Sequence, residues 1–131
     1  MDPRRLRAIS RGAVAVSAAA ALAITLAPGG WIDPAASVQD AAWHLLVFAA
    51  LGASLALAYA TSEAARRSPR RTLVMVLLAI WLVAASTELL QERIPGRQPE
   101  LADWAASVSG GVLGFLLAGP ALRALLRSRG G

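Results

Sequence analysis

The chain has 131 residues, enough for one domain, and a formal net charge of +5. Hydrophobic residues make up 56% of it and charged residues only 16%, whereas soluble domains are about 25% charged. The absence of cysteine excludes disulfide frameworks and thiolate metal sites. Every basic side chain is an arginine, and the arginines lie between apolar stretches instead of along one polar face, which argues against nucleic-acid binding.

Four apolar stretches predict four transmembrane helices, over residues 12–27, 41–61, 72–90 and 104–125. Each has roughly the length needed to cross ~30 Å of hydrocarbon, and backbone in lipid must be helical to satisfy its polar groups. The first stretch is short, and the last is interrupted near its end by Gly119-Pro120. We therefore predict an all-α, polytopic membrane protein with a single domain over residues 1–131.

The arginines predict the orientation of these helices. They precede the first stretch, fill the loop between the second and third, and follow the fourth: Arg4, Arg5, Arg7, Arg11, Arg66, Arg67, Arg70, Arg71, Arg123, Arg127 and Arg129. Only Arg93 and Arg97 lie on the other side. Short arginine-rich segments stay in the cytoplasm, so both termini are predicted to be inside. Trp31, Trp43 and Trp104 then fall near the outer boundary, where indole rings prefer to lie.

The first stretch also has features of a signal peptide. Basic residues, a short apolar run and small residues around Ala27 fit that alternative, and cleavage would leave three spans. Residues 28–34 are poor in A-x-A cleavage signals, which favours a first helix that is retained.

Polar residues gather at the outer ends of the predicted helices: Asp33, Asp40, His44, Glu88, Gln91, Glu92, Arg97, Glu100 and Asp103. Asp40 and His44, four residues apart, share a helix face, so the carboxylate could orient or charge the imidazole. Glu88 and Gln91, three apart, also share a face. Ionisable groups from several spans that reach one depth of a membrane indicate a functional site, because their burial there is costly.

The last predicted helix begins with Asp103, whose carboxylate can cap free N–H groups. Ser107 follows on the same face, and Gly110 and Gly114 form a surface for close helix contact, within the chain or between copies. The preceding residues, Ile94-Pro95-Gly96-Arg97, are typical of a turn.

Each of these residues also has a purely structural interpretation. Asp103 could serve only as a cap, the glutamates could be solvated at helix ends, and a lone histidine is most often a packed, hydrogen-bonded one. The glycines suit packing and the tryptophans suit interface anchoring. These interpretations do not explain why so many ionisable residues converge at one depth.

The ordered residues resemble the VanZ-like family of small bacterial membrane proteins over residues 38–117. The resemblance rests on Asp40-x-x-x-His44, Phe48, Leu51-Gly52, Glu88-x-x-Gln91, Pro95-Gly96-Arg97, Asp103 and Gly110-x-x-x-Gly114. Two positions depart from it: Ala41 stands where the family usually has lysine, and Ser107 where it usually has asparagine. The resemblance implies a cell-envelope protein and a link to resistance against the glycopeptide antibiotic teicoplanin.

Two functions are predicted from these observations. The first is a multi-pass protein of the bacterial cytoplasmic membrane whose outward-facing pocket binds an anionic lipid or a lipid-linked cell-wall precursor. Arg97 would engage a phosphate or carboxylate. The other ligand-binding candidates, which would position the ligand or hold Arg97, are Asp40, His44, Glu88, Gln91, Asp103 and Ser107. The alternative is an enzyme acting on such a lipid, with His44 as general acid or base, Asp40 orienting it, and Ser37 or Ser107 as candidate nucleophiles.

No cofactor and no metal are predicted. His44 with Asp40, Glu88 or Asp103 offers nitrogen and oxygen ligands, but one histidine without cysteine makes a poor zinc site. A transporter is disfavoured because no ionisable residue falls at the midplane of the bilayer. The sequence leaves the oligomeric state open.

Overall fold

A computed structural model describes residues 2–27 and 37–128 as a bundle of helices. The helices are α1 (Pro3–Thr25), α2 (Ser37–Thr61), α3 (Glu63–Arg67), α4 (Pro69–Gln91) and α5 (Leu101–Ser128). Four of them, all but α3, are long and apolar enough to cross a membrane, which confirms the prediction of an all-α protein with four candidate spans. Trp31, Asp33, the 28–34 stretch and Arg129 lie outside the described residues, as do the side chains of Ser37, Arg123 and Arg127.

The helices extend beyond the predicted stretches. The first begins at Pro3, because Asp2 caps it by accepting a hydrogen bond from the Arg4 N–H at 2.9 Å and proline suits the first turn. Its span is therefore as long as the others. The last helix continues through Pro120 to Ser128 instead of breaking there. Proline removes one helical hydrogen bond, a loss that transmembrane helices tolerate.

The loop between the second and third spans contains the short α3. Ser62 caps it, since its hydroxyl accepts a hydrogen bond from the Ala65 N–H at 3.4 Å. Arg7 of α1 forms an exposed ion pair with Glu63 at this level. We call this end of the bundle the arginine end, and the opposite end, where Thr25, Asp40, Gln91 and Asp103 meet, the polar end.

The central helix of the bundle is α2. It has its most extensive interface with α5 and the next with α1, while α4 packs mainly along α5. Phe48 and Leu51 form the core with Ala21 and Ala84, and all four are at most 3% exposed. Large apolar side chains cover the outside of α4, as expected of a helix that faces lipid: Val74, Met75, Leu77, Leu78, Trp81 and Leu82.

Glycines bring the backbones of α2 and α5 together. A Cβ atom added at Gly110 would lie 2.2 Å from the Leu45 carbonyl oxygen, and one at Gly114 would lie 2.0 Å from that of Ala49. On α2, a Cβ at Gly52 would lie 1.9 Å from the carbonyl oxygen of Gly111. The small-residue surface predicted on the last helix is therefore used for packing within the chain.

We expect Gly110→Ala to destabilise the protein by about 1–3 kcal/mol, because the added methyl group must push α2 and α5 apart. Thermal unfolding in mild detergent measures this. Gly12→Ala is the matched control, since nothing lies within 4 Å of a Cβ there and alanine favours the helix. Equal losses of stability in the two variants would contradict the proposed close contact.

Candidate functional site

The seven residues predicted from the sequence come together at the polar end. The second helix contributes Asp40 and His44, α4 contributes Glu88 and Gln91, and α5 contributes Asp103 and Ser107; Arg97 comes from the α4–α5 loop. Hydrogen bonds and ion pairs connect most of them. Five of the seven residues are buried, and the other two, Asp40 and Arg97, are partly buried. We call these seven residues the polar cluster.

A tight turn directs Arg97 into the cluster. Pro95 and Gly96 occupy its central positions, and the Arg97 N–H closes it on the Ile94 carbonyl at 3.1 Å. Gly96 has φ 78°, the left-handed value required at the third position of a type II turn, so glycine is needed there. The predicted turn is thus confirmed, and its geometry returns the chain towards α2.

Arg97 forms a largely buried ion pair with Asp40. Its Nη1 donates to Asp40 Oδ2 at 2.5 Å, and the two side chains are 7% and 17% exposed. Its Nη2 donates to the main-chain carbonyl of Thr25 at 3.0 Å. The guanidinium therefore ties the α4–α5 loop to both α1 and α2.

The imidazole of His44 is completely buried. Its Nδ1 lies 3.0 Å from Ser107 Oγ and 3.6 Å from Glu88 Oε1, and its Nε2 lies 3.5 Å from the amide nitrogen of Gln91. A neutral ring with its proton on Nδ1 satisfies both neighbours, since it donates to Ser107 and accepts from Gln91. Asp40 is not one of these hydrogen-bond partners of the ring; its carboxylate accepts a hydrogen bond from Arg97 instead.

Glu88 and Asp103 are carboxylates in buried positions. Glu88 accepts a hydrogen bond from the Glu100 N–H at 3.1 Å through Oε2. Asp103 was expected to open its helix, but the helix begins at Leu101, so Asp103 lies in the first turn and its side chain is 3% exposed.

Several buried polar atoms of the cluster lack a hydrogen-bond partner within the described part of the chain. Three of them are acceptors, Glu88 Oε1, Gln91 Oε1 and Asp103 Oδ1, and one is a donor, Arg97 Nε. The cluster also holds three carboxyl groups but only one guanidinium.

Three residues of the cluster lie close enough together that they could hold a metal ion. Asp40, His44 and Asp103 each offer one ligand atom, and these atoms lie within 4.8 Å of one another. One nitrogen and two carboxylate oxygens form a donor set that suits divalent cations.

Sequence reasoning missed the main-chain contributions to the site. The Thr25 carbonyl accepts hydrogen bonds from Arg97 and, at 2.8 Å, from the Gln91 amide, and the Glu100 N–H binds Glu88. No side-chain pattern reveals a main-chain acceptor. Glu92, which lies close in sequence, is exposed and outside the cluster.

Comparison with known proteins gives no match to a protein-family model, a curated protein or a solved structure. The resemblance to the VanZ-like family stays a prediction.

We expect Arg97→Met to destabilise the protein by about 3–5 kcal/mol, because the change leaves the Asp40 carboxylate buried without its partner. Arg7→Met removes the arginine of the exposed pair with Glu63 and should cost at most about 1 kcal/mol. Unfolding of both variants in the same detergent provides the comparison. Similar losses would show that the pair with Asp40 is not the stronger one.

Proposed function

We propose that this chain is a multi-pass protein of the bacterial cytoplasmic membrane that binds the polar head of an anionic lipid or lipid-linked cell-wall precursor. The observation that supports this most is the convergence of ionisable side chains from α2, α4 and α5 with Arg97 at one end of the bundle. Burying such groups in a membrane protein is costly, and a site of this kind is usually retained for function. The distribution of arginines supports an orientation with the polar end outside.

Arg97 is the proposed contact for the anionic group. Both terminal nitrogens are already used, by Asp40 and by the Thr25 carbonyl, while Nε has no partner among the described residues. A phosphate oxygen would accept a charge-assisted hydrogen bond from Nε and share the guanidinium with Asp40. Asp40 keeps its partner in this arrangement, so neither charge is left buried and unpaired.

The resemblance to the VanZ-like family suggests the physiological context of this binding. If the resemblance holds, the bound ligand belongs to the cell wall or its lipid-linked precursors, and expression of the protein should affect susceptibility to teicoplanin.

A second candidate function is catalysis on the same lipid. The hydroxyl of Ser107 lies 3.0 Å from His44 Nδ1, and in the alternative tautomer, with the ring proton on Nε2, this nitrogen could take the serine proton as a base. Ser107 and His44 are both 0% exposed, however, so a lipid cannot reach the hydroxyl in this arrangement. Binding is therefore the function that the geometry favours.

Lipid binding tests the proposal directly. The purified chain is incubated in detergent with phosphatidylglycerol or a polyprenyl phosphate, and native mass spectrometry measures the bound fraction. We expect Arg97→Gln to weaken binding at least about tenfold, which corresponds to about 1.4 kcal/mol, because the principal cationic contact is lost. Arg66→Gln, at the exposed arginine end, controls for non-specific attraction to headgroups and should bind normally. Unchanged binding by Arg97→Gln would refute the proposed contact.

Substitutions of Ser107 separate binding from catalysis. Ser107→Asn introduces the amide usual in the VanZ-like family, which keeps a hydrogen-bonding side chain beside His44 but removes the hydroxyl. If the site binds, we expect this variant to keep lipid affinity within about threefold, whereas Ser107→Ala leaves the Nδ1 proton unpaired and weakens binding. Chromatography of the incubated lipid with mass detection reports turnover. Conversion of the lipid by the wild type that both variants abolish would establish catalysis instead.

A further inference from the structure

Among the described buried atoms of the polar cluster that lack a hydrogen-bond partner, three are acceptors and one is a donor. We propose that Asp40, His44 and Asp103 bind a divalent cation at the polar end of the bundle. This inference rests on the proposed function and deepens it, because it explains how an acidic site can receive an anionic headgroup.

The ligand atoms of Asp40, His44 and Asp103 lie almost as close together as they would around a bound metal ion. The three ligand atoms lie within 4.8 Å of one another, and bonds of about 2.0–2.2 Å to a common ion would place neighbouring ligand atoms roughly 3–3.5 Å apart. Side-chain shifts of about an ångström or less would close that gap. All three residues lie within the first eight residues of α2 or α5, the two helices whose glycine contacts hold them together.

Buried oxygens without partners provide an independent reason for a cation. Asp103 is 3% exposed, and its Oδ1 has no hydrogen-bond partner among the described residues. Glu88 Oε1 is also unpaired and lies 3.6 Å from the imidazole that would bind the ion. Leaving a buried acceptor unsatisfied costs about 1–3 kcal/mol, and more for a charged group, so each of these atoms would gain from a nearby positive charge.

The composition of the cluster also suits a cation, because three carboxyl groups accompany a single guanidinium, that of Arg97. The remaining polar groups hold the ligands in place. Arg97 binds one oxygen of Asp40 and leaves the other available, and Ser107 holds His44 through Nδ1. Groups that orient ligands in this way usually accompany metal sites.

The donor set suggests which ion would bind. One imidazole nitrogen with two carboxylate oxygens lies between the hard oxygen sites of Mg²⁺ and Ca²⁺ and the nitrogen-rich or sulfur-rich sites of copper. Mn²⁺ fits this intermediate character, and Zn²⁺, for which one histidine without cysteine is a poor donor set, is the weaker candidate. An ion bound by three protein ligands keeps a coordination position for an outside oxygen, and a phosphate oxygen of the lipid head would occupy it.

The test uses the full chain, purified in mild detergent without a polyhistidine tag and treated with a chelator. It is titrated with MnCl₂ while electron paramagnetic resonance follows free Mn²⁺, and ZnCl₂ is tested by competition. We expect one saturable site per chain, with affinity at least about tenfold lower in both Asp103→Asn and His44→Gln. Glu92→Gln removes an exposed carboxylate near the same end and should bind like the wild type. Thermal unfolding confirms that each variant is folded.

Absence of saturable binding of both ions, or equal affinity in the wild type and both cluster variants, would overturn the cation site. Lipid binding is also measured with and without chelator, which distinguishes a failure of the cation site from a failure of the proposed headgroup binding. Lipid binding that survives the chelator and Asp103→Asn but is lost in Arg97→Gln overturns the cation inference alone. Stoichiometric cation binding without any lipid binding supports the cation site and overturns the headgroup proposal.

Discussion

The close backbone contact between α2 and α5 is the constraint on which the polar end depends. Gly110 and Gly114 lie against the carbonyls of Leu45 and Ala49, where any Cβ would overlap the oxygen. Since helices in lipid gain little from burying apolar surface against each other, tight packing of small residues is a principal source of their association. This contact sets the register of the two helices, and the register places Asp40 and His44 at the level of Asp103 and Ser107.

Around that pair of helices, polar contacts attach the rest of the bundle. The Thr25 carbonyl at the end of α1 accepts hydrogen bonds from Gln91 of α4 and from Arg97 of the loop. Because α1 and α4 have only a small direct interface, these bonds are a large part of what joins them. A network of this kind is specific as well as stabilising, since a shift of any helix would leave buried polar groups unpaired.

The two ends of the bundle use ion pairs differently. At the arginine end, the pair of Arg7 with Glu63 is exposed, and the neighbouring arginines suit orientation in the membrane. At the polar end, the pair of Arg97 with Asp40 is largely buried and lies beside two further carboxylates. Solvent screens the first pair, whereas the second lies where charge is costly. The proposed binding of a headgroup, with or without a cation, gives a reason to maintain that cost.

The sequence by itself determined the helical class, the four candidate spans and the membership of the polar cluster, because hydropathy over some twenty residues and the spacing of side chains along a helix are local properties. It did not determine which side chains of the cluster hydrogen-bond to each other. The sequence offers Asp40 two partners, His44 on its own helix face and Arg97, and in the structure its hydrogen bond comes from Arg97. Ser107, a candidate by residue type only, lies next to His44 Nδ1. The start of the first helix at Pro3 and the continuity of the last helix through Pro120 were also missed. Only the tertiary structure decided these contacts, since they depend on helix register and on the main-chain carbonyl of Thr25, which no residue pattern encodes.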